Sequence, residues 1–306
     1  MRSQRPACGT LIAVTDGLEL LLLALDLQEV APDTFVGPGD IDNSYGIFGG
    51  HLLGQGVAAA CRTAPEGRSI HSLHGYFVAG GTATGDIEYR VERIRDGGTF
   101  AHREVRALRG ERELFRLTAS FQGPEDGLIW ESAPSHEPDL PEPDGLPDLP
   151  ELLASSGTAV FDDYWTHRPR AVQLRYAHAP WAQAGPAADS GIRVWWRTPR
   201  PIGDSPHLHS AIAAFVADES ISDNVLTPHG LTWTGENLKV VSLDHAMWFH
   251  RPFRVDDWLL FVQRPIVTYG ARGLALGHIY DRDGRMVATC TQEVLLRGDA
   301  PAPPTA

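Results

Sequence analysis

Twice along this chain a helix of small residues is followed by four strand-length runs of alternating polarity, and few architectures accept that order. The first helix reads from residues 48–61, Phe48-Gly49-Gly50-His51-Leu52-Leu53-Gly54-Gln55-Gly56-Val57-Ala58-Ala59-Ala60-Cys61, with strands at 70–78, 86–95, 99–109 and 113–122. The second reads from 206–218, with strands at 240–249, 258–268, 271–280 and 286–297. Short joins between successive strands predict antiparallel pairing. Asp281-Arg282-Asp283-Gly284 predicts a hairpin turn, because glycine reaches positive φ at little cost. A Gly- and Ala-rich helix lets sheet backbone approach closely, so each half predicts a curved sheet wrapped around its helix. The two strand sets overlay with His74 on His245, Gly98 on Gly270 and Gln122 on Gln292, which reads as a duplication. The expected class is α+β.

Between the halves, residues 124–156 change character. Glu137-Pro138-Asp139-Leu140-Pro141-Glu142-Pro143-Asp144 removes backbone donors and repeats like charges, so it predicts an extended connection. The expected division is therefore 1–123, a linker at 124–156, a second domain at 157–297 and a solvated tail at 298–306. For 306 residues, two domains of roughly 150 residues is the ordinary expectation.

Charge and composition narrow the function. A net charge of −13 argues against nucleic-acid binding, which needs clustered Lys and Arg. Cys8, Cys61 and Cys290 are odd in number and far apart, which suits a reducing cytoplasm and offers no metal pair. The apolar run in residues 18–27 is interrupted by Glu19 and Asp26 and falls far short of the roughly 20 residues of a membrane span. It predicts an amphipathic first helix packed on the core. His71 and His74 alternate poorly for a shared metal. No Gly-x-Ser-x-Gly elbow occurs, and Gly54-x-Gly56 is too little for a dinucleotide loop. No cofactor is expected.

Three polar groups bear on chemistry. Asp218 ends its helix, where the dipole disfavours a carboxylate, so it is either a solvated loop acid or one held by a buried partner. Ser242 opens a strand, and alternation puts it on the face of Val240 and Asp244. Gln292 lies in a strand polar on both faces, and an inward amide must find a partner. An acid, an alcohol and an amide brought together can hold a water molecule.

Phe48-Gly49-Gly50 with Gln55, and Ile70-His71-Ser72-Leu73-His74-Gly75-Tyr76-Phe77, resemble the first-half signatures of the type II acyl-CoA thioesterases. Ser242-Leu243-Asp244-His245-Ala246-Met247-Trp248-Phe249-His250-Arg251-Pro252-Phe253 and Thr291-Gln292-Glu293 resemble the second-half ones. The resemblance implies a double hotdog, two curved antiparallel sheets joined into one, and hydrolysis of acyl-CoA to fatty acid and CoA. It puts the water-orienting trio on Asp218, Ser242 and Gln292, with Ser242 where the family more often carries Thr. It also implies a homo-oligomer. Amides of Gly49 and Gly50 are candidate oxyanion donors. His74, Arg251 and Arg272 are candidate substrate contacts, as is Arg254 for CoA phosphates. Two other readings stay open: a hotdog enoyl-CoA hydratase using Asp223 and His229, and an acyl-CoA binder without turnover.

Overall fold

The structure is a computed structural model. It describes residues 16–39, 46–82, 84–132, 140–156, 166–179, 181, 191–233 and 237–298. The helices are α1 (Gly17–Leu25), α2 (Gly49–Arg62), α3 (Leu149–Ser156) and α4 (Pro206–Ala217).

The first-half strands are β1 (Gln28–Ala31), β2 (Thr34–Gly37), β3 (Ser69–Phe77), β4 (Ile87–Asp96), β5 (Phe100–Arg109) and β6 (Arg112–Gln122). The second half supplies β7 (Gln173–Tyr176), β8 (Arg193–Arg197), β9 (Lys239–Ser242), β10 (Asp244–Phe249), β11 (Leu259–Tyr269), β12 (Arg272–Tyr280) and β13 (Met286–Arg297). All thirteen belong to one antiparallel sheet in the order β1-β2-β4-β5-β6-β3-β10-β13-β12-β11-β8-β7, with β9 also on β13. The halves join where β3 pairs with β10, Leu73 opposite Met247 and Gly75 opposite His245. This is the expected double hotdog, and the Asp281–Gly284 turn forms with Gly284 at φ +80°.

Inside the curved sheet α2 and α4 pack directly against each other, antiparallel, because small residues meet at the contact. A side-chain carbon on Gly50 would stand 2.4 Å from the Phe215 carbonyl oxygen, and one on Gly54 3.3 Å from that of Ala211. Gln55 is buried between this helix and β4, donating to the Ala24 carbonyl and accepting from the Tyr89 hydroxyl. The first helix forms as expected, capped by the Asp16 carboxylate on the Leu18 amide, with Leu18, Leu21 and Leu25 buried. Among the described residues no helix is long and apolar enough to cross a membrane.

The structure adds β1, β2, β7 and β8, which the sequence reading did not place, and departs from it in three further places. Within the connection read as extended, Leu149–Ser156 is helical and Leu149 is buried, because its few apolar residues find the core. The strand read as continuous over 240–249 is broken at Leu243. Between the Ser242–Val294 and Ala246–Thr291 pairs, β13 advances three residues and its partner four, a one-residue bulge. The bulge reverses the alternation, so Asp244 does not share Ser242's face; His245, Met247 and Phe249 take the buried face instead. Asp244 turns its carboxylate onto the Glu293 amide across the bulge. Finally, His74 does not superpose on His245 in orientation: it lies exposed against Trp248, rings 5.1 Å apart, while His245 is fully buried.

Because the helices meet backbone to backbone at Gly50, the Gly50→Ala substitution should lower the unfolding free energy by about 1–3 kcal/mol through overpacking. Urea denaturation would show this as a lower midpoint at unchanged slope.

Candidate active site

Antiparallel packing brings the C-terminal end of α4 onto the N-terminal end of α2, and Asp218 occupies that junction. It caps α4 in helical backbone geometry, and its carboxylate accepts from the Gly50 N–H at the start of α2. The unfavourable end of one helix dipole is thereby answered by the favourable end of another. Gly49 permits the approach, since a side-chain carbon there would stand 2.6 Å from Asp218 Oδ2.

Gln292 reaches the same junction from β13, where it is fully buried. Its Nε2 donates toward Asp218 Oδ1 at 2.7 Å, Ser222 Oγ at 2.8 Å and Ser242 Oγ at 2.9 Å. Ser242 Oγ also lies 3.4 Å from Asp218 Oδ1. On its other side Gln292 Oε1 meets His245 Nδ1 at 2.5 Å. Ser222 comes from a 3₁₀ turn over Ile221–Val225, directly after α4. The three residues read from the sequence converge, and Ser222 and His245 join them. His245 was open to detection as the polar member of an otherwise apolar strand face, but the bulge hid which face that was. Ser222, one serine in a polar loop, gave no such signal.

Burial raises the Asp218 carboxyl to about 7, against the opposing hydrogen bonds of Gln292, Gly50 and Ser242. The neighbouring Glu219 adds to the rise, although it is ion-paired with Arg168 and Arg170. An acid poised near neutrality can hold and exchange a proton there. Burial pushes the His245 ring down to about 4, so it is neutral.

The remaining candidates divide. Gly49 and Gly50 adjoin the trio, but the Gly50 amide is already engaged by Asp218. Arg251 pairs with Glu131 at 2.7 Å, and Arg254 with Asp204 and Asp256. Arg272 pairs with Glu293, whose side chain alternation sends to the face opposite Gln292. His74 stands on the outer face, so among the described residues neither it nor these arginines bonds to the trio. Asp223 and His229 do not form a hydratase pair: Asp223 accepts from Trp233 Nε1 at 2.7 Å and His229 bonds to Thr268. Among the described residues no group of His, Cys, Asp or Glu has metal-binding geometry.

A buried carboxylate at the end of a helix, faced by a glutamine from the sheet, can hold a water molecule. Residues 166–295 match the acyl-CoA thioesterase family, and residues 38–122 match the acyl-CoA thioesterase N-terminal domain. The chain is 30% identical to acyl-CoA thioesterase 2 of Haemophilus influenzae, covering 93% of this chain and 99% of that one. It is 31% identical to human acyl-coenzyme A thioesterase 8, covering 91% and 89%. A crystal structure of an acyl-CoA thioesterase II from Mycobacterium marinum superposes with a TM-score of 0.74 at 33% identity, covering 92% and 99%. The chain belongs to the acyl-CoA thioesterase family.

The raised carboxyl has a measurable consequence. Between about pH 4 and 7 folded Asp218 holds a proton that the unfolded chain releases, so its contribution to stability is present below that window and lost as pH rises through it. The stability of wild type relative to Asp218→Asn should therefore fall between pH 4.5 and 7.5, by on the order of 1–4 kcal/mol. Parallel denaturant curves at the two pH values check this; an unchanged difference contradicts a raised carboxyl.

Proposed function

We propose that this chain hydrolyses acyl-CoA thioesters by direct attack of a water molecule oriented by Asp218, Ser242 and Gln292. The observation that carries the reading is the convergence of three groups from separate segments, with Gln292 Nε2 within 2.9 Å of both Asp218 Oδ1 and Ser242 Oγ. A water entering there meets a carboxylate to accept its proton, and an amide and a hydroxyl to fix its orientation. Attack on the thioester carbonyl forms the new C–O bond, and the proton passes to Asp218. The tetrahedral intermediate then collapses, breaking the C–S bond and expelling the CoA thiolate, which takes up the proton. The positive end of α2 would stabilise the oxyanion, with the Gly49 amide as donor, since that of Gly50 already faces Asp218.

The neighbours of Ser242 support water attack over a serine nucleophile. Among the described residues Ser242 has no histidine partner to take its proton; the nearby His245 ring bonds instead to Gln292.

A thiol-trapping assay across acyl-CoA chain lengths tests the proposal. Wild type should release CoA, while Asp218→Asn and Gln292→Ala should lower kcat by about 10²- to 10⁴-fold. Undiminished turnover in both variants would remove these residues from the chemistry. Loss of an enoyl band without free thiol would favour a hydratase, and binding without any thiol release a non-catalytic carrier.

A further inference from the structure

We propose that His245 is a positioning residue, whose ring holds the Gln292 side-chain amide in the one orientation that presents its NH₂ group to Asp218 and Ser242. The inference rests on the water-orienting role proposed for that trio.

A primary amide has two orientations of similar shape and opposite polarity. Here one end of the Gln292 amide faces His245 and the other faces three oxygens, those of Asp218, Ser222 and Ser242. In the ionised form that takes the water's proton, Asp218 can only accept, so a carbonyl oxygen turned toward it at 2.7 Å would set two acceptors against each other. The nitrogen therefore lies on the Asp218 side, and Oε1 faces the imidazole. Because Oε1 cannot donate, the His245 proton sits on Nδ1. Nε2 is then a bare acceptor, buried and without a hydrogen-bond partner among the described residues.

His245 is fully buried on a strand face it shares with Met247 and Phe249, opposite Gly75 across the seam between halves. An unpaired buried polar atom destabilises a core, and an apolar side chain at this position would avoid the penalty. The ring's contribution lies in its other nitrogen, through the amide it orients. The neutrality imposed by burial preserves that arrangement, since a protonated ring would place a charge with no acceptor at Nε2.

In the folded wild-type protein, ¹⁵N NMR of labelled histidine should show His245 protonated at Nδ1 and bare at Nε2; the reverse tautomer overturns the proposal. His245→Leu should lower kcat for acyl-CoA by about 10- to 100-fold with KM within about threefold. His245→Asn, which keeps a donor near the Nδ1 position, should recover kcat to within about fivefold of wild type. In a Gln292→Ala background, His245→Leu should cause no further loss. An equal loss in that background, failure of Asn to rescue, or full activity in His245→Leu each rejects a positioning role. Full activity in Gln292→Ala alone would instead reject the trio on which the inference stands.

Discussion

The contact on which this structure depends is the meeting of two helix ends. Helix α4 terminates in Asp218 and α2 begins at Gly49-Gly50, and the halves fit because nothing larger than hydrogen stands between them. A carboxylate at a helix C-terminus is ordinarily unfavourable. Here the neighbouring helix supplies an N–H and a positive end, which keep the acid in a buried place without neutralising it fully. The duplication is thus part of the site: the second half supplies acid, alcohol and amide, and the first half supplies the helix that accommodates the acid.

Much of this was legible beforehand. The small-residue helices, the four-strand runs and the Gly284 turn all follow from local chemistry, and the strands placed by alternation fall within about two residues of where they form. Asp218, Ser242 and Gln292 each stood out as a polar residue of undecided role, and it was the resemblance to the thioesterase motifs that put them together. The short strands β1, β2, β7 and β8 escaped, as did Ser222 and two further features. The bulge at Leu243 depends on β13 opposite it, so no reading of the strand by itself could find it. The helix at Leu149–Ser156 forms because Leu149 reaches the core, which the surrounding proline and acid content obscured. Among charged candidates, sequence gave no means of telling a free arginine from one already paired, and Arg251, Arg254 and Arg272 are paired.

The bulge has consequences beyond topology. Without it Ser242 and His245 would face opposite sides of the sheet, and only one could approach Gln292. One extra residue brings both to the same amide, Ser242 to its nitrogen and His245 to its oxygen. Fully buried polar side chains in so small a space demand complete pairing. Gln292 achieves it with four partners, whereas His245 Nε2 has none among the described residues.

The central claim is that Asp218 acts on a water molecule and does not itself attack the thioester. A single turnover in H₂¹⁸O, with enzyme in excess over acyl-CoA, separates direct hydrolysis from an acyl–aspartate that water opens at the aspartyl carbon. Direct hydrolysis predicts one ¹⁸O in the released carboxylic acid and an unlabelled peptide containing Asp218. Heavy oxygen in that peptide, with an unlabelled acid product, would show a covalent acyl–aspartate and contradict the account.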